Sequence, residues 1–267
     1  MLQSLVRARP LLWLLVKREF RARYAGSTLG MVWNIIHPLV LIGMYFLVFS
    51  RIMGEKIGAG GSTTYVVHLC AGIVPWLFFA EVLTRSTTAL VDNANFLKKL
   101  VLPEEILYIG VLVHSLVTHF ASIILLAIFL VFLHGPATAA PEMARAVIFA
   151  APVFLALGVL GVGMGMFLSV LHLLMRDIGQ ILAIGLQIVF WSLPIVYLPS
   201  ILPESLRNIA EYNPLLPYIS LIQRLFGSPD ALFNNDGFYV VLIYPFLAVL
   251  IGLSFLKHNR TEILDRL

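Results

Sequence analysis

Six long apolar runs, separated by short polar breaks, set the plan of this chain. A helix needs about 20 apolar residues to cross the hydrocarbon core of a bilayer. By that measure the runs predict membrane-spanning helices over about Leu29–Arg51, Tyr65–Leu83, Glu105–Leu133, Ala146–Leu174, Ile178–Leu198 and Phe238–Leu256. Between them lie a Gly-rich turn at Met53–Thr64, a segment at Ser86–Glu104 with helix-forming content and a stop at Pro103, a small loop at His134–Pro141, and a tight turn at Met175-Arg176-Asp177. The longest break, Pro199–Gly237, is not simply polar. Its short amphipathic pieces, interrupted by Pro203, Pro214 and Pro217, predict two short helices at or dipping into the interface, with Asn213-Pro214 as the break between them. A plain surface loop is the alternative. Irregular backbone at membrane depth is tolerated only against protein or water, so a dipping segment implies a pore or lateral opening beside it.

Upstream of the first run the pattern changes. Lys17, Arg18, Arg21 and Arg23 form a basic collar with Glu19 as its only acid, and from Thr28 to Ser50 there is no charged residue. Leu12, Leu15, Val16 and Phe20 share one helical face while Lys17, Arg18 and Arg21 share the other, which predicts an amphipathic helix lying in the interface within residues 1–27. The pattern is imperfect, since Leu14 falls on the polar side and Glu19 and Arg23 on the apolar side. A solvated basic tail is the alternative. A cleaved signal peptide is not expected, because the apolar run Pro10–Val16 is short and is followed by KREFRAR rather than by small residues.

Charge orients the six runs. An even number of spans puts both termini on one side. With the termini inside, 13 of the 18 Lys and Arg residues fall on the inner side, and only Arg51, Lys56, Arg145, Arg207 and Arg224 fall outside. The positive-inside rule therefore predicts that both termini are cytoplasmic. Composition agrees with the class: the chain is 60% hydrophobic and 12% charged, against about 25% charged in soluble domains. The expectation is an all-α integral membrane protein of one domain, residues 1–267. It divides into an interface helix (1–27), a six-span core (28–256) with an inner loop (86–104) and an outer loop (199–237), and an inner tail (257–267). A formal charge of +4 is too small to point to nucleic acid, and Cys70, the only cysteine, allows no intrachain disulfide.

The chemistry the sequence offers is sparse. There is no G-x-x-x-x-G-K-[ST], no H-E-x-x-H and no G-x-S-x-G, so no catalytic residue is expected. His114 and His119 are five apart on one run, off a common helical face, and no metal site is expected there. Glu81 is read as lying near the inner end of the second span. Ion-coupled carriers need charge at mid-depth, so energy comes from elsewhere or the protein is a passive channel. Gly158, Gly161 and Gly165 share a face of the fourth span, where small residues let another helix approach closely. Aromatic residues are frequent. As a group they suit a path for a polysaccharide, with Tyr45, Phe49, Trp76 and Tyr197 as candidate lining, while interfacial belt or core packing is the alternative for each.

The stretch KREFRARYAGSTLGMVWNIIHPL resembles the opening of the permease subunit of bacterial polysaccharide-exporting ABC transporters, the class of O-antigen, capsule and teichoic-acid exporters. The shared pattern is a charged cluster, then R-Y-x-x-S-x-L-G-x-x-W at Arg23, Tyr24, Ser27, Leu29, Gly30 and Trp33, then Pro38 in the first span. N-A-N-F-L-K-K-L-V-L-P-E in the inner loop and Y-N-P-L at 212–215 extend the likeness along the chain. The resemblance implies a homodimer with one pore between two copies, two copies of a separate ATP-binding subunit, and a place in the bacterial inner membrane. It implies no cofactor on this chain, since ATP and Mg would be bound by the partner. It implies docking to that ATPase through the interface helix and through Asp92, Asn95, Phe96, Leu97, Lys98, Lys99 and Pro103. Phe96 and Leu97 would be apolar knobs in a groove of the partner, and Lys98 and Lys99 would flank them or meet lipid headgroups. Tyr212, Asn213 and Pro214 would belong to an outer gate. The substrate would be a glycan linked to undecaprenyl diphosphate. Lys17, Arg18, Arg21, Arg23 and Tyr24 would meet its diphosphate, unless topology and headgroup binding alone explain them. A permease for small lipids or drugs would share the six-span plan without the R-Y-x-x-S-x-L-G-x-x-W opening. A passive channel would work without ATP, and a membrane-embedded enzyme would need acids or histidines grouped at a membrane face.

Overall fold

The computed structural model describes residues 16–17, 26–48, 61–99, 104–199, 203–228 and 237–266. Every regular element among them is helical. A 3-10 turn at Gly30–Val32 leads into α1 (Trp33–Phe46). There follow α2 (Gly61–Asp92), α3 (Ala94–Lys99), α4 (Glu105–His134), α5 (Pro136–Leu174), α6 (Ile178–Ser192), α7 (Glu204–Glu211), α8 (Leu216–Leu225), α9 (Gly237–His258) and α10 (Arg260–Arg266). Among the described residues four helices contain segments long and apolar enough to cross a membrane: Thr64–Asp92, Glu105–Leu133, Ala139–Leu174 and Gly237–His258. The apolar helices α1 and α6 have 14 and 15 residues, which at 1.5 Å per residue is about 21 and 22 Å. They are shorter than the sequence runs suggested.

Two helices overrun the bounds expected of them. α2 has 32 residues, about 48 Å, and continues past Leu83 with Ser86, Thr87, Ala89 and Leu90 buried. Much of the expected inner loop is therefore helix docked on its own core, and α3 supplies most of the rest. α5 has 39 residues, about 58 Å, and begins at Pro136 rather than near Ala146. The expected loop at His134–Pro141 shrinks to Gly135, whose φ of 93° suits glycine alone. Pro136 opens the helix at a position where its missing N–H costs nothing. Hydropathy drops across Pro141-Glu142, but the Ala-rich stretch keeps its helix propensity.

α5 is the central strut, packed along α9, α2 and α4. α2 is interior, with 83% of its apolar window buried, whereas α9 is peripheral at 22%. Polar ties also cross the core. The Tyr108 hydroxyl of α4 donates to Ser169 Oγ of α5 at 2.5 Å, and Ser169 in turn donates to the Met166 carbonyl at 2.8 Å. Such pairs matter because an unpaired polar group in hydrocarbon costs several kcal/mol.

Glycines set the interhelical spacing. A Cβ on Gly158 would lie 2.5 Å from Leu112 Cδ1 of α4 and 2.8 Å from Phe78 Cζ of α2, one on Gly161 3.0 Å from Val82 Cγ1, and one on Gly165 would overlap Ser86. The face expected from the sequence thus seats α2. A second close approach lies roughly 200° around α5 from Gly161, at about 100° per residue. A Cβ on Gly163 would stand 2.5 Å from the Ala248 and Val249 backbone of α9, and one on Gly252 would overlap the Gly163 carbonyl.

The long break holds two short helices, α7 and α8, separated at Tyr212–Leu215. The tight turn at Met175-Arg176-Asp177 joins α5 to α6. Of the expected interface helix, Val16 (buried) and Lys17 (exposed) are described, together with exposed Gly26 and Ser27 at its end. Arg18, Arg21, Arg23, Tyr24, Phe49 and Pro103 lie outside the described residues, as do the side chains of Tyr45 and Lys99.

Candidate functional site

Among the described residues three groups bring polar chemistry together. The first is a polar cluster between α2 and α4. Glu81 and Arg85 are one turn apart on α2, with Arg85 Nη1 3.4 Å from Glu81 Oε1. On α4, Ser115 and His119 are also one turn apart. His119 Nδ1 donates to the Ser115 carbonyl at 3.1 Å, which turns Nε2 toward Glu81 Oε2 at 3.9 Å. The Ser115 hydroxyl reaches Glu81 Oε1 at 3.5 Å, and Phe78 backs the imidazole edge-on with ring centroids 5.4 Å apart. This cluster forms a wall of a cavity of about 570 Å³ between α1, α2 and α4, which Trp33, His37, Thr84, Thr118 and Ser122 also line. The sequence reading placed Glu81 near the end of its span, but α2 runs 11 residues further. The two i, i+4 pairs were legible singly; their meeting depends on how α2 and α4 pack.

The second group holds the short helix α8. His68 of α2 is fully buried. Its Nε2–H donates to the Pro194 carbonyl at 2.9 Å, and its Nδ1 accepts from the Ser228 hydroxyl at 2.9 Å. The Gln223 amide of α8 donates to the carbonyls of His68 (3.1 Å) and Pro194 (3.2 Å). It fits because Gly72 leaves room: a Cβ there would sit 2.7 Å from Gln223 Nε2. On the other side of α8 the Tyr218 hydroxyl donates to the Val240 and Val241 carbonyls at 3.2 and 3.4 Å. Burial pushes this phenol well above its ordinary range, so it remains a donor. α8 is therefore clamped to α2, to the end of α6 and to α9. By contrast, α7 carries an exposed Arg207–Glu211 pair at 3.4 Å, worth little in water.

Between these helices Asn213 makes the turn. Its Oδ1 accepts from the Leu215 N–H at 3.0 Å and its Nδ2 donates to Ser192 Oγ at 2.9 Å. Tyr212 is 90% exposed and Pro214 is exposed. Sequence reasoning singled out this turn but not His68 or Gln223. Buried polar residues in apolar runs were the available signal.

The third group is the segment from Asp92 to Lys99. Asp92, Asn95 and Lys98 are exposed. Leu97 is packed into the chain's own core, with Phe96 half-buried against it. Of the two apolar residues expected to seat in a partner's groove, Leu97 is thus already occupied at home. Nearby, Arg260 Nε of α10 lies 3.3 Å from Glu104 Oε1 at the start of α4.

The aromatic candidates separate. Trp76 is 6% exposed and packs against Phe79 and Phe190, with centroids 6.3 and 5.6 Å away. Within the chain it belongs to the core and presents no ring to an open path. Tyr197 is half-buried, and its hydroxyl donates to the Trp191 carbonyl at 2.8 Å. Among the described residues no three of His, Cys, Asp or Glu come together as metal ligands would.

The model of the ABC-2 type transporter family matches residues 10–226. Among curated proteins, the chain is similar to the O-antigen export system permease protein RfbA of Klebsiella pneumoniae, 28% identical over 260 residues that cover 95% of each chain. It is also similar to the RfbA permease of Myxococcus xanthus, 27% identical over 236 residues covering 86% of each. The polysialic acid transport protein KpsM of Escherichia coli is 22% identical over 250 residues, 92% of this chain and 91% of its own.

Proposed function

The chain belongs to the ABC-2 type transporter family, and we propose that it is the membrane half of an ATP-driven exporter that moves a lipid-linked polysaccharide outward across the bacterial inner membrane. One observation carries this reading: permeases of O-antigen export align with it over 95% of both chains. Its helices suit the task. α1, α2, α4, α5, α6 and α9 would be the six spans, with α1 and α6 completed by flanking residues and both termini cytoplasmic. Transport energy would come from a separate ATP-binding subunit that carries ATP and Mg.

The permease would work as a pair. Buried residues are absent from α6, and Leu39, Val40 and Met44 of α1 are exposed. Apolar faces of this kind suit a second copy, with the pore between the two. The clamped α8 and the exposed turn at Tyr212–Pro214 would form the outer gate. Decisive support would be copurification of the permease with an ATPase whose turnover rises with the host's lipid-linked glycan. If no ATPase associates, the central claim fails.

Docking to the ATPase would use the exposed residues of the inner segment, Asp92, Asn95 and Lys98. Lys98→Glu is expected to weaken copurification roughly tenfold, about 1.4 kcal/mol, by reversing a charge at the contact rim. The permease alone should keep its thermal stability. Leu97→Ala should do the reverse, destabilising the permease itself by about 2–5 kcal/mol through a core cavity. Equal copurification for wild type and Lys98→Glu would remove Lys98 from the contact.

The collar would receive the diphosphate of the lipid carrier. Exchanging Arg18 and Arg23 for Gln should leave topology and complex assembly intact while export falls. Unchanged export would leave Lys17, Arg18, Arg21, Arg23 and Tyr24 as anchoring residues only.

A further inference from the structure

We propose that the cavity between α1, α2 and α4 is a sugar-binding subsite, which seats a carbohydrate unit of the exported glycan on the inner-leaflet side of the permease. This rests on the export reading and adds a place for the substrate to it.

The cavity holds about 570 Å³, within the range of roughly 300–1,000 Å³ found for small-molecule sites. It is unusual for its surroundings. Glu81 lies 20 residues along α2 from Gly61, about 30 Å at helical rise. In the proposed orientation this is the inner side of the bilayer. Ionisable residues in membrane helices are costly, and they mark substrate pathways more often than they serve packing.

The lining is apolar on one side, with Leu41, Ile42, Val74 and Leu77, and its polar side fits a neutral polyhydroxylated ligand. Glu81 and Arg85 oppose each other's charge at 3.4 Å, so neither a cation nor an anion gains a net counter-charge from the pair. A diphosphate brought here would face the Glu81 carboxylate, whereas sugar hydroxyls both donate and accept. The carboxylate accepts, the guanidinium donates in a planar fork, and the Thr84 and Ser122 hydroxyls do either. Trp33 stands 48% exposed on the lining, offering an indole face to the C–H side of a pyranose. The charged lipid end and the sugar end would thus have separate places, the collar and this cavity.

The test uses the chain's cysteine economy. Cys70 is the only cysteine and is fully buried, whereas Thr84 is exposed and lines the cavity. Thr84→Cys therefore gives one reachable thiol. Inner membranes carrying the Thr84→Cys permease with its ATPase would be prepared from host cells that make the glycan and from cells blocked in its synthesis. Both would be treated with a water-soluble maleimide. A site about 80% occupied slows labelling roughly fivefold, by mass action, so that much protection is expected only where the glycan is made. Equal rates in the two membranes would overturn the subsite, and this is also the result if a phospholipid or water alone fills the cavity. No labelling in either membrane would overturn it too, because a sugar site must be open to water. A second variant, Thr84→Phe, fills the cavity from an exposed position. It is expected to abolish export while the complex with the ATPase still assembles, and wild-type export by this variant would count against the subsite. The two readings fail separately: a wild-type complex that exports no glycan sinks the export reading, whereas an exporting complex with an unprotected thiol sinks only the subsite.

Discussion

Gly163→Ala is expected to loosen the α5–α9 contact and destabilise the permease, whereas Gly185→Ala, the same substitution on α6, is expected to stabilise it. At Gly163 the added methyl would stand 2.5 Å from backbone atoms of Ala248 and Val249. Backbone cannot rotate aside as a side chain can, so the helices must separate. Forcing one methyl into a packed contact costs about 1–3 kcal/mol. The gain in helix propensity from Gly to Ala, about 1 kcal/mol, offsets only part of it. The loss is serious because apolar helices in lipid have no hydrophobic force driving them together, and their association rests on close packing. At Gly185 no atom of the chain itself lies within 4 Å of the new methyl, so within one permease chain the propensity gain stands alone. Thermal unfolding of both purified variants in one detergent checks this. A Gly163→Ala variant as stable as wild type, or more so, would show that the Gly163–Gly252 approach does not hold α9 in place.

The same contact shows where sequence stops being informative. The face made by Gly158, Gly161 and Gly165 was legible because three glycines repeat at helical spacing in an apolar run. Gly163 interrupts that pattern, and its partner Gly252 is far away in the chain. The four long apolar helices were legible because bilayer thickness imposes long apolar runs. Helix ends were not, because hydropathy reports which residues tolerate lipid and not where hydrogen bonding stops; α2 continues through Asp92 and α5 begins at Pro136. The two short helices α7 and α8 could be read from Pro203, Pro214 and Pro217, which punctuate amphipathic pieces. Trp76 and Leu97 mark the opposite limit. An aromatic or apolar residue announces that it will be buried, but its own core and a partner's groove look alike until the helix faces are set. Glu81 and His119 needed the register of α2 against α4, which the glycines of α5 help to fix from a third side.

The second large effect is expected at Gln223. Two carbonyl oxygens, from His68 and Pro194, fix the direction of its amide, and its Nε2 donates to both. Gln223→Glu keeps the shape and replaces these donors with an acceptor. The carboxylate would face both carbonyls where the native side chain is fully buried, and the nearby donor, His68 Nε2 at 3.2 Å from the native amide nitrogen, already serves the Pro194 carbonyl. An uncompensated buried charge costs about 3–5 kcal/mol, a large part of the roughly 5–15 kcal/mol that holds a protein folded. Gln223→Leu removes the donors without adding charge. It is expected to cost less, about 1–3 kcal/mol, because two buried acceptors lose a donor while Pro194 keeps its bond from His68. The damage should be local before it is global. α8 would lose its tie to α2 while Tyr218 still held it to α9, so amide hydrogen exchange across Leu216–Leu225 should quicken in the order wild type, Gln223→Leu, Gln223→Glu. If α8 is part of the outer gate, vesicles carrying the Glu variant should also leak small solutes in the absence of ATP. Exchange in the Glu variant as slow as in wild type would mean that α8 is held by its apolar face alone and that the His68–Gln223 tie adds nothing to the hold.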